Sequence, residues 1–428
     1  MSATTFGLSA PAQPRIASAR VVAATVAGNA IEFYDFLCFG FFAVYIAGAF
    51  FPPGNDFANL LKTLAIFWSG FLFRPLGGVV IGAFADRVGR RPAMMLTIAL
   101  ITVGTLGLAA VPSYATIGVA APILLVACRI VQGFALGGEV GPASVFLAEA
   151  APRGQRGLYV SWQIASQGLA VMAGGFLGTL LSYVLTKQQL ADWGWRVPFL
   201  ICLALIPLAF YLRSDMPETL DLHRKPAREM EENRFGSIGY IALGVLLIIG
   251  GTVSTYVGNY MSTYAITTLK LPATLSLSAT LVSGASTFVF ALLGGWLGDR
   301  YGRKVVVLVP RIALAVLIWP LFLWLSAAPS PLTLWLSAIV VSGLTALSAG
   351  IGLVIIPELL PKHIRATGFA VSYAIGVSIF GGSTQFLITW LIDFTKNPVA
   401  PAFYVILTSL ITIGAMLALP ETRGREID

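Results

Sequence analysis

Apolar runs long enough to cross a bilayer, separated by short polar connections, recur along the chain from residue 21 to residue 419. A helix needs about 20 apolar residues to span the hydrocarbon core. On that measure the pattern predicts twelve spans, at 21–50, 58–84, 93–112, 116–148, 157–185, 195–213, 237–264, 273–299, 304–326, 331–359, 366–393 and 399–419. They are numbered 1 to 12 in that order. Polar tails are expected at 1–20 and 420–428, and a charged linker at 214–236. Lipid-exposed backbone must satisfy its own hydrogen bonds, so runs of this length point to an all-α polytopic membrane protein.

The pattern is also duplicated. "GAFADRVGRR" (Gly82–Arg91) follows span 2, and "GWLGDRYGRK" (Gly295–Lys304) follows span 8. Glu149, Pro152 and Arg156 after span 4 match Glu358, Pro361 and Arg365 after span 10. "PET" occurs after span 6 (Pro217–Thr219) and after span 12 (Pro420–Thr422). Three landmarks repeated at nearly one spacing divide the chain into two six-helix halves, residues 21–213 and 237–419.

Composition agrees with this division. The chain is 57% hydrophobic and 11% charged, with a mean hydropathy of +0.85, where soluble domains carry about 25% charged residues. Of its 27 lysines and arginines, 19 fall in the tails and even-numbered connections. That asymmetry places both termini in the cytoplasm. The basic residues are scattered through loops, so the net charge of +8 is no nucleic-acid signature. The first 20 residues lack an apolar core with a cleavage site, so no signal peptide is expected. Cys38, Cys128 and Cys202 have neither disulfide nor metal spacing, and no nucleophile–base pair stands out. With no P-loop either, neither an enzyme, a cofactor, a metal nor ATP coupling is expected.

The twice-occurring Gly-x-x-x-Asp-Arg-x-Gly-Arg-Arg/Lys motif resembles the loop signature of the major facilitator superfamily. "GNAIEFYDF" (Gly28–Phe36), "FRPLGG" (Phe73–Gly78) and "RIVQGFALGGE" (Arg129–Glu139) are similar to its metabolite:proton symporters. "ADWGWRVPF" and "SIFGGSTQ" are most similar to bacterial citrate and tricarballylate–proton symporters. The resemblance implies two pseudo-symmetric six-helix bundles in a bacterial inner membrane. It also implies alternating access by rocking about a central site, with protons coupled to a small carboxylate and no obligatory second chain. Oxoglutarate, shikimate, proline and betaine are alternative substrates within the family. A membrane receptor that moves nothing is the alternative from another class, and the duplicated loop motifs argue against it.

Buried ionic residues carry the expected chemistry, since each costs about 2.5–3.5 kcal/mol at a helix centre on insertion scales. Arg129 in span 4 offers a fork that fits a carboxylate and is the expected substrate anchor, or else a partner for Asp35 or Glu139. Glu32 and Asp35, one turn apart on span 1, are the expected proton carriers together with Glu139; Asn29 precedes them. Substrate contacts are expected from Asn29, Gln132, Gln163 and Gln167, and from Tyr256, Asn259 and Tyr260 on the polar stripe of span 7. Arg74 and Arg311 are assigned to structure, with Arg311 near enough to one face to reach the headgroups, or else to attract anions at the inner vestibule. Asp86, Arg90, Glu149, Asp299, Arg303 and Glu358 are expected to form gating ion pairs, Arg90 with Glu149 and Arg303 with Glu358.

Overall fold

The computed structural model describes residues 19–88, 90–137, 144, 147–148, 151–152, 154–214, 234–360 and 365–424. Within the described residues every predicted span is mainly helical. Span 10 runs Pro331–Leu359, residue for residue as the pattern predicts. Among the described residues nine helices are long and apolar enough to cross a membrane, and a bent pair makes a tenth. Two shorter apolar helices, Ala120–Leu136 and Gly194–Leu208, fall at spans 4 and 6. Residues 144, 147 and 148 beyond Leu136 are also helical. The linker lies almost wholly outside the described residues.

Three spans are interrupted along their length. Span 1 breaks at Phe42 and turns by 64° between Thr25–Phe41 and Ala43–Phe50. Span 2 is interrupted at Phe73, between Asp56–Leu72 and Arg74–Val88. Pro75 explains this break, because it has no N–H to give the carbonyl four residues back. Span 11 contains a six-residue π-helical turn, Gly376–Gly381, between Arg365–Ile375 and Gly382–Thr395. Such turns are rare and concentrate at functional sites.

Glycine decides how the halves meet. Spans 5 (Arg156–Val184) and 8 (Ala273–Tyr301) lie against each other along their length. A Cβ on Gly157 would sit 2.7 Å from the Gly295 carbonyl oxygen, and one on Gly168 would sit 2.6 Å from the Phe288 nitrogen. Small residues let the backbones touch, which is how helices pack where lipid removes the hydrophobic drive. Spans 2 and 11 meet on the other side of the cavity, where Trp68 donates its indole N–H to the Ser378 carbonyl at 3.1 Å.

Candidate functional site

A cavity of about 80 Å³ lies between the halves. Span 7 forms one wall through Thr252, Thr255, Tyr256 and Asn259, so the polar stripe faces a cavity over this stretch. One turn further the stripe changes role: the Tyr260 hydroxyl accepts from Thr389 on span 11 at 2.7 Å and is off the cavity wall. Span 5 divides in the same way. Gln167 faces the cavity, while Gln163 donates to the Asn29 side chain at 2.9 Å and Asn29 donates to Ser166 at 2.6 Å. Asn29 and Gln163 therefore tie spans 1 and 5 together.

The arginines divide differently from the expectation. Arg311 does not reach toward headgroups. It is 2% exposed, lines the cavity, and donates to the Gly250 carbonyl (2.9 Å), Ser254 (3.0 Å) and Ser348 (2.6 Å). Those acceptors are all neutral. Its Nε has no partner, so the guanidinium retains donor capacity and an unneutralised charge beside the cavity.

Arg129, Glu32 and Asp35 are buried but are not on the cavity wall. Arg129 and Asp35 are joined through an amide. Arg129 Nη1 donates to Gln132 Oε1 at 2.8 Å, and Gln132 Nε2 donates to Asp35 Oδ2 at 2.6 Å. Thr105 on span 3 donates to the same carboxylate oxygen at 2.8 Å. Asp35 Oδ1 is left without a partner. Asn29 and Asp35 do not share one side of span 1. Six residues turn a helix by about 240°, so Asn29 meets span 5 while Asp35 meets spans 3 and 4.

Arg74 was assigned to structure at a kink. It is 5% exposed, with its guanidinium carbon 4.1 Å from the Phe71 ring centroid and 4.3 Å from that of Phe36. The Arg129 guanidinium carbon lies 4.0 Å from the same Phe36 centroid.

At the end bearing residue 424, Arg303 donates to both oxygens of Glu358, at 3.1 and 3.4 Å, as the repeat predicts, and to Asp299 at 2.7 Å. Asp299 also accepts from the backbone N–H groups of Gly157 (2.8 Å) and Leu158 (2.9 Å), across the boundary between the halves. A carboxylate there meets the positive end of the span 5 helix. The residues after span 12 join this network, although only their repetition marked them. Thr422 donates to Glu358 at 2.6 Å, and Glu421 accepts from the N–H groups of Arg303 and Lys304, capping span 9 (Arg303–Ala327). Burial pushes the Glu421 carboxyl up, but four backbone donors outweigh it and hold the group below its usual range. Glu139 and Glu149 lie outside the described residues, as do the side chains of Asp86 and Arg90.

The sequence profile of the Major Facilitator Superfamily matches residues 36–377. A citrate-proton symporter of Salmonella typhi is 37% identical, over 97% of each chain. One from Klebsiella pneumoniae is 36% identical, over 88% of this chain and 86% of its own. Among solved structures, a D-xylose-proton symporter superposes with a TM-score of 0.77 at 19% identity, covering 95% of this chain and 98% of its own.

Proposed function

The chain belongs to the major facilitator superfamily, and on that premise we propose that it imports citrate or a related tricarboxylate together with protons by alternating access. The cavity between two six-helix halves, with Arg311 on its wall beside Gln167, Tyr256 and Asn259, is the observation that carries this reading. A travelling anion must shed water to reach mid-membrane. A fixed guanidinium with an open N–H, amides and hydroxyls replace that hydration. The basic residues concentrated in the tails and even-numbered connections support cytoplasmic termini. Whole-length similarity to citrate-proton symporters supports the substrate class.

Proton coupling follows from the chain Arg129–Gln132–Asp35. While Asp35 is ionised, Gln132 spans the gap between carboxylate and guanidinium, and Arg129 is held by its neighbours. A proton on Asp35 removes the anion that balances Arg129. The guanidinium then needs another anion, and the substrate carboxylate supplies it. Proton and substrate thus bind better together than apart, which is the requirement for symport. Glu32 lies one turn before Asp35 and is the second candidate carrier. Asp299, Arg303 and Glu358 act as the gate at the cytoplasmic end, pairing when that end is closed.

Proteoliposomes containing the protein should accumulate labelled citrate when an inward proton gradient is imposed. Absence of gradient-driven uptake for a whole panel of carboxylates defeats the reading.

A further inference from the structure

We propose that Arg74 and Arg129 form one buried site for two carboxylates of the same substrate molecule, so that the transporter selects ligands carrying at least two. This rests on the transport reading above and adds a second anchor and a rule of selection.

Both guanidinium groups lie against a single ring, that of Phe36, at 4.3 and 4.0 Å from its centroid. Both side chains are at least nine-tenths buried. Nε and Nη2 of each have no hydrogen-bond partner. Among the described residues no carboxylate lies within ion-pair distance of either; Asp35 reaches Arg129 only through Gln132. Each unsatisfied buried donor costs about 1–3 kcal/mol, and the ring contacts of each arginine, worth about 2 kcal/mol or more when desolvated, leave those donors unbonded. Two like charges packed beside one ring also repel each other. Two carboxylates would correct all three deficits, because each guanidinium fork accepts one carboxylate bidentately.

The backbone is built to hold the pair. Arg74 lies one turn after Gly70 on span 2, and Arg129 one turn before Gly133 on span 4. A Cβ on Gly133 would overlap the Gly70 carbonyl, and a Cβ on Gly137 would overlap the Arg74 carbonyl. No side chain separates the two helices there, so the arginines are fixed on adjoining turns. The route inward is short. Tyr256 lines the cavity and packs edge-on against Phe71 at 5.3 Å, and Phe71 covers Arg74. One layer of aromatic rings separates the cavity from the pair, and turning those rings aside opens it.

The test measures binding of citrate, succinate and butyrate to the purified full-length protein by titration calorimetry, with thermal stability recorded in parallel. Wild type should bind citrate and succinate well above butyrate. Arg74→Gln should weaken citrate and succinate by about 10–100-fold, the effect of losing a charge-assisted hydrogen bond, and leave butyrate within about twofold. Arg74→Lys keeps the charge, loses the fork and should show the same selective loss in smaller measure; it carries the test if the glutamine variant does not fold. Unchanged binding, or an equal loss for all three ligands alongside a lower melting temperature, overturns the proposal in favour of a purely structural arginine. Wild type binding no carboxylate overturns the transport reading and this site with it. Wild type binding selectively while the Arg74 variants keep the same selectivity overturns this site alone.

Discussion

Gln132 donates its amide to the Asp35 carboxylate at 2.6 Å, and its carbonyl oxygen accepts from Arg129 at 2.8 Å. An acid on span 1 and a cation on span 4 are thereby joined without touching. Gln132→Leu cuts this link while nearly preserving volume. Gradient-driven uptake should fall by about 10–100-fold, the equivalent of losing a hydrogen bond to a charged group. Unaltered uptake in proteoliposomes would remove Gln132 from the coupling path.

Asp35→Asn keeps a side-chain oxygen for Thr105 and Gln132 but can no longer exchange a proton. Exchange of labelled for unlabelled substrate across the membrane should persist in this variant, while accumulation against a gradient is lost. A variant that still concentrates substrate would exclude Asp35 as the proton site.

Asp299 accepts two backbone N–H groups at the start of span 5 and a guanidinium N–H of Arg303. Asp299→Ala removes a helix cap that crosses between the halves, and caps are worth about 0.5–2 kcal/mol. The closed gate should weaken by that amount. A cysteine introduced at Leu158 should then react faster with a membrane-impermeant thiol reagent applied from the gate side. An unchanged labelling rate would show that Asp299 does not hold the gate.

Glu421 gives the span 9 cap a pH dependence whose sign is fixed. Its carboxyl is held below the ordinary value of 4.5 in the folded chain. Its stabilisation is therefore complete above that value and is lost as pH falls below it, when protonation releases the span 9 cap. Glu421→Gln should lower the melting temperature at neutral pH and flatten its decline on acidification through this range. A variant as acid-sensitive as wild type would assign that sensitivity to other groups.

Gly133→Ala would drive a methyl group into the Gly70 carbonyl. Overpacking of this kind costs about 1–3 kcal/mol, and here it pushes span 2 from span 4. Both stability and carboxylate affinity should drop, whereas Gly48→Ala, which meets nothing within 4 Å, should change neither. Equal behaviour of the two variants would mean that the close approach is dispensable.

Span positions, the division into halves and the Arg303–Glu358 pair were legible in the sequence because each leaves a local or repeated mark. Hydrophobic length marks spans, and an offset between identical motifs marks halves. The allocation of side chains around the site was not legible. Nothing in the spacing of Gln163 and Gln167 says that one meets Asn29 and the other the cavity, because that depends on which helices stand beside span 5. The neighbourhood of Arg74 was not legible for a related reason. Its neighbour Pro75 marks a kink, whereas its place beside Arg129 at Phe36 is visible only once Gly70 and Gly133 bring span 2 onto span 4. Thr105 left no mark at all: a threonine in an apolar run is ordinary, and its bond to Asp35 exists only in three dimensions.

The π-helical turn in span 11 gives that helix one surplus residue of slack midway along its length. If the slack migrates, each residue it passes rotates by about 100° while the helix on either side keeps its place. Ser378, whose carbonyl is latched by Trp68, lies inside the turn. A transporter so equipped can release its latch by re-registering one coil, with no whole helix having to travel.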